Sequence, residues 1–201
     1  MKKLKCLRNF KIIFSALSLG LVLNSCSSDS ETSNSVATSD ALHLAFKTPD
    51  WERNINCELL DLNPTIINDS TSIVSASSAS TRETFYFSYP NDSSKIVKAK
   101  YLKKYKIMSV YGNVEPFQFS QKLPLDANSI ESLDKRLVST EGFSTSEYNQ
   151  VLEVKYLKSE QNFAVFRVKC KYEMKAYLVS TPEIIKPVSG TFTFKIRTTK
   201  N

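Results

Sequence analysis

Glycine and histidine are scarce in this chain, with four Gly and a single His among 201 residues. Gly20 lies in an apolar N-terminal run, and Gly112, Gly142 and Gly190 stand far apart, so no glycine-rich loop can cradle a phosphate and nucleotide binding is disfavoured. His43 alone cannot build a zinc site with several imidazole ligands. A Ser/His/acid triad would depend on the same residue, and the rest of either constellation is missing. A solvated or strand-edge histidine is expected there. Acidic ligands alternating around a central Gly are also missing, so no calcium loop is read, and no cofactor motif is found. Long apolar runs are limited to Ile12–Leu23, which as a helix covers roughly 18 Å at about 1.5 Å per residue. A bilayer core needs about 30 Å, so this run is no anchor by itself.

What is present begins with Lys2, Lys3, Lys5, Arg8 and Lys11, a basic stretch free of acidic residues that precedes the apolar run. That order is the layout of an export signal. Arg8 has no paired arginine, which favours the general secretion route over the twin-arginine route. The run ends Leu23-Asn24-Ser25-Cys26, which resembles the lipobox of bacterial lipoproteins, with Asn24 departing from the usual small apolar choice. The resemblance implies diacylglycerol on the Cys26 thiol, cleavage before Cys26 and acylation, such as by palmitate, of the freed amine. Two or three acyl chains hold a protein on a membrane, where one binds only marginally. The alternative is a soluble protein cut by an ordinary signal peptidase.

Cleavage changes the charge. Five of the 27 basic residues and none of the 20 acidic ones precede Cys26, so the mature chain carries 22 basic against 20 acidic residues, a net +2. The basic character belongs mostly to the signal, and nucleic acid is not an expected partner. From Ser27 to about Asp40 the chain is Ser, Thr, Asn and Asp with little that could enter a core, a tether. Ser27-Ser28-Asp29-Ser30-Glu31 resembles the Ser- and acid-rich export signals of surface lipoproteins in the Bacteroidota. Ser27, where inner-membrane retention would use Asp, resembles outer-membrane sorting. The outer membrane is the expected address, on either face.

Residues 41–201 are enough for one domain. Within it Cys57 and Cys170 remain as a pair in an oxidising compartment, where a disulfide is expected, with two separate buried thiols as the alternative. From Ala164 every second residue is apolar: Phe166, Val168, Cys170, Tyr172, Met174, Ala176 and Leu178. Arg167, Lys169, Lys171, Glu173 and Lys175 occupy the other face, which predicts a long strand over 162–178, bent or bulged, with one side on a core. Leu152, Val154 and Tyr156 before it, and Phe192, Phe194 and Ile196 after it, alternate likewise and predict an antiparallel three-strand meander. Further strands are expected at 55–62, 84–89, 96–111 and 117–120, with a two-residue turn at Gly112-Asn113 and a bulge near Pro116.

One helix is expected over 129–138, capped by Asn128, with Ile130, Leu133 and Leu137 on one stripe. The fold class is thus a β-rich α+β domain, antiparallel with one main helix: a layout like that of cystatin-like or NTF2-like folds, or a β-sandwich with an accessory helix. Thr84-Phe85-Tyr86-Phe87 and Thr191-Phe192-Thr193-Phe194 hint at two similar halves.

Three functions follow. The favoured one is a non-enzymatic, lipid-anchored envelope protein that binds an envelope protein or a polysaccharide. Lys98, Lys100, Lys104 and Lys106, on one face of the 96–111 strand opposite Val97, Ala99, Tyr101, Tyr105 and Ile107, are its candidate grip on an anionic polymer. Lysines also keep exposed strands from pairing with other chains, the plainer explanation of the same pattern. The second is a carrier of an apolar ligand, lined by Phe166, Tyr172, Met174 and Phe194. The third, an enzyme, would be a hydrolase built on carboxylates such as Glu131 and Glu147, with Asp134 and Glu141 as the neighbouring candidates.

Overall fold

A computed structural model describes residues 40–98, 102–109, 114–128 and 135–200. Within them, strands β1 (His43–Lys47), β2 (Glu52–Asn56), β3 (Thr65–Asn68), β4 (Thr71–Ser77) and β5 (Thr84–Pro90) precede a single-turn helix α1 (Ser93–Ile96). Strands β6 (Lys104–Tyr105), β7 (Phe119–Pro124), β8 (Arg136–Ser139), β9 (Tyr148–Glu160), β10 (Phe163–Leu178) and β11 (Thr181–Thr199) follow. All pair antiparallel in one sheet of order β2-β1-β11-β10-β8-β7-β5-β4-β3, with β9 between β10 and β6.

The long meander follows from period-two patterning. Every even residue of β10 from Ala164 to Leu178 is buried, as the alternation predicts. β10 pairs with β11 along nearly its whole length, while β9 covers its first part and β8 its last three residues. The expected irregularity falls mainly on the partner: β9 slips register at Leu157 and at Leu152, each an extra residue against β10. Lys158–Glu160 remain in β9, and Gln161-Asn162 make the connection.

Four inter-strand steps separate β11 from β5 along the sheet, roughly 19 Å at about 4.8 Å each. Yet Phe85 of β5 stacks on Phe194 of β11 with ring centroids 4.4 Å apart, and Phe87 meets Phe192 edge-on at 5.1 Å. The sheet must therefore curl back on itself. The two Thr-Phe-X-Phe runs are the facing halves of its aromatic core rather than separate repeats. Phe119 of β7 completes the core, 4.4 Å from the Tyr172 ring and 4.8 Å from Phe192.

Four expectations change. Arg136–Val138, the end of the predicted helix, lie in β8, where Leu137 is buried and pairs with both β7 and β10. Edge hydrogen bonds on both sides outweigh the weak helical preference of so short a run. Residues 129–134, including Glu131 and Asp134, lie outside the described residues, as do Gly112-Asn113. The strand expected over 96–111 is broken: Ile96 ends α1, whose Asp92 side chain caps Ser94 N, and β6 keeps only Lys104 and Tyr105. The strand expected from Ile55 to Leu62 stops at Asn56, where the Asn56 side chain accepts from Glu58 N at 2.8 Å and turns the chain. Beside Pro116, the expected bulge takes the form of Phe117 with φ 68°, a left-handed backbone held by Phe117 N donating to Ser88 O at 2.8 Å.

The disulfide is the fourth change. Both thiols are free and buried. Register explains why: Cys170 lies opposite Phe192, Phe192 opposite Leu44, and Leu44 opposite Ile55, two residues before Cys57. Three strand spacings, roughly 14 Å, far exceed the Cα separation of about 7 Å that a disulfide can span. Burial raises both thiol pKa values, that of Cys57 to about 11, so neither is a ready thiolate at neutral pH.

Candidate functional site

The outward face of β10 gathers the densest charge cluster. Arg167 and Lys169 are two residues apart and share that face, and β9 places Glu153 directly opposite Lys169. Arg167 Nη2 donates to Glu153 Oε1 at 2.8 Å, and Lys169 Nζ lies 3.7 Å from Glu153 Oε2. Asp40, the first described residue, closes the group: it pairs with Lys169 and lies 3.4 Å from Arg167. Asp40, three residues before β1, is thus held against the outward face of β10.

Electrostatics follow from this geometry. The hydrogen bond from Lys169, then the nearby Arg167 charge, holds the Asp40 carboxyl below the usual range. Arg167 does the same for Glu153 and is itself raised. A second group on β9 and β11 behaves alike: Lys158 and then Arg197 hold Glu160 down to about 2, and Arg197 also pairs with Asp61.

These depressed carboxylates set the acid response. Their folded pKa values lie below the unfolded ones, about 4.3 for Glu, so their stabilisation is present above that pH. It is lost as pH falls from about 4.3 through about 2, where Glu160 finally protonates. Thermal melts taken between pH 6 and pH 2 should show the melting temperature falling through this window. Glu160→Gln should flatten the fall; an unchanged slope would remove the pair from the account.

Beside the cluster, β9 has an edge that the described strands leave uncovered beyond Val151. β6 covers it as far as Val151, whose N donates to Lys103 O at 3.1 Å. From Leu152 to Glu160, no other described strand pairs with that side. Leu152, Tyr156 and Leu157 are exposed along this edge. No family model, curated protein or solved structure matches the chain. Its residues must speak for themselves.

The positions singled out from the sequence fall as follows. Cys26 and Lys100 lie outside the described residues. Lys98 is exposed beyond α1, in no strand, while Lys104 and Lys106 lie in and beside β6. Lys104 Nζ sits 3.5 Å from the centre of the Tyr148 ring, and Lys106 pairs with Glu141. Glu147 pairs with Lys175 at 3.1 Å and accepts from Ser144. Phe166, Tyr172, Met174 and Phe194 are buried, and two of them lie in the ring stacks of the core. Tyr172 donates to Gln121 Oε1 at 2.8 Å there. His43 is buried rather than solvated, with Nε2 3.0 Å from Thr191 Oγ1 and Nδ1 2.8 Å from Ala41 O. Among the described residues no three His, Cys, Asp or Glu side chains are grouped to hold a metal ion.

The Asp40–Glu153–Arg167–Lys169 cluster was not identified from the sequence. The alternation places Arg167 and Lys169 on the face away from the core, which by itself predicts only contact with water. A signal was available in Glu153, the acidic residue among the alternating positions of the preceding strand, but its register against Lys169 depends on the slip at Leu157.

Proposed function

We propose that this protein is a lipid-anchored module of the outer membrane that binds through its β domain rather than catalysing a reaction. The observation that carries the reading is the junction of signal and lipobox: a basic start, one apolar run and Cys26 at its end. The domain supports it. Asp40 is seated on β10, so the described chain begins on a defined face. The candidate acids Glu141 and Glu147 are neutralised by Lys106 and Lys175, an arrangement suited to a surface and poor for proton transfer. The curled sheet with two halves facing across aromatic rings supports the sandwich-like layout over the cystatin-like one. An envelope protein or a polysaccharide remains the class of partner.

Labelled palmitate tests the anchor. The full chain should incorporate label and sediment with membranes, and Cys26→Ser should lose both. Continued membrane partitioning of Cys26→Ser would overturn the lipid anchor.

A further inference from the structure

We propose that the open edge of β9 pairs antiparallel with β9 of a second copy of this chain, about a two-fold axis through Val154. An exposed strand edge is a template for another strand unless it is blunted. The other ends of the sheet offer less. β3 is four residues long, and β2 is held by side chains against the loops beside β5 and β7.

Symmetry and charge select the occupant. A two-fold axis normal to an antiparallel pair passes through a residue facing its own copy, and with Val154 there, Glu153 lies opposite Lys155 of the second copy, twice. Glu153 and Lys155 share the outward face, so each cross-strand pair is of opposite charge. Within one chain Lys155 is exposed and directly opposite Arg167, a like-charge neighbour. The incoming Glu153 offsets that repulsion. The exposed Leu152 and Tyr156 bracket the same stretch.

The seating of Asp40 adds an independent argument. The axis is normal to the sheet, so both outward faces stay on one side and both copies of Asp40 lie on it. From Cys26 to Asp40 an extended chain reaches at most about 50 Å, enough for both lipids to enter one bilayer. The slips at Leu152 and Leu157 confine regular pairing to a short run and prevent open-ended strand growth. The contact is therefore weak alone and depends on confinement to a membrane, which raises the effective concentration.

This last step rests on the proposed anchor; fractionation reads the anchor and cross-linking reads the pairing, so either can fail alone. The test uses the full chain in envelope membranes carrying Val154→Cys. Oxidation should give a covalent dimer, while Asn54→Cys on the β2 edge should stay monomeric. Adding Lys155→Glu should lower the linked fraction about tenfold, since two attractive pairs become repulsive, and should leave the melting temperature unchanged. Amine-reactive cross-linking of the wild-type chain in the same membranes should also give a dimer, which covers the case of a poorly folding Val154→Cys. No linked dimer from a folded variant, equal linking from Asn54→Cys, or indifference to Lys155→Glu would each overturn the pairing, as would a solely monomeric wild-type chain.

Discussion

Arg53→Met is expected to destabilise the domain by about 3 to 5 kcal/mol, the cost of leaving a buried carboxylate without its partner. Glu83 is that carboxylate. Its side chain is 2% exposed, it pairs with Arg53, and its Oε2 has no partner. Arg53 also donates from Nη2 to Ala127 O at 2.6 Å, and its guanidinium lies 4.9 Å from the Trp51 ring centre. Trp51 Nε1 donates in turn to Leu125 O at 3.1 Å. These contacts join β2, at one end of the strand order, to the loops beside β5 and β7 in the other half. They close the curled sheet where no backbone ladder does.

At roughly 2 to 4 °C per kcal/mol for a domain of this size, the melting temperature should drop by about 10 °C. Arg53→Met with Glu83→Met should recover most of the loss, because the penalty lies in the unpaired charge more than in the missing bond. Denaturant melts of the two single variants and the double variant measure the coupling. A loss below about 1 kcal/mol for Arg53→Met would mean that the pair behaves as a surface contact.

Gly190→Ala is expected to be comparably severe, about 3 kcal/mol or more, for reasons of space. Gly190 sits in β11 between Phe46 of β1 and Tyr172 of β10. A Cβ there would lie 2.1 Å from Ala45 O and 2.7 Å from Tyr172 Oη. The first is backbone of the neighbouring strand, so relief requires β1 to move off β11. The second is a fully buried ring whose hydroxyl is tied to Gln121. An aromatic lying over a strand glycine covers the gap left by the missing side chain.

Gly142→Ala supplies the comparison. Its Cβ would meet Glu147 Oε1 at 2.8 Å, the far end of a long side chain that can swing aside. That variant should cost under about 1 kcal/mol. Hydrogen exchange should show Gly190→Ala loosening residues 43–47 first. Equal destabilisation by the two substitutions would contradict the argument.

The meander of β9, β10 and β11 was legible because period-two alternation states locally which side of a strand meets the core, and Phe166, Val168, Phe192 and Phe194 obeyed it. Short segments were misread where local and distant demands differ. Ile130, Leu133 and Leu137 fit a helical stripe, but Leu137 gains ladder bonds on both sides in β8. The cysteines show the same limit: both lie coreward, as expected, yet two intervening strands separate them.

From the sequence alone come the apolar faces of the main strands, together with the proposal of an export signal before Cys26 and a tether after it. Each is written in consecutive residues or a short period. Only the tertiary structure decided that Phe85 meets Phe194, that Arg53 meets Glu83, and that Asp40 is seated beside the bare edge of β9. Those contacts depend on where the sheet curls and where β9 slips its register, and no local pattern encodes either.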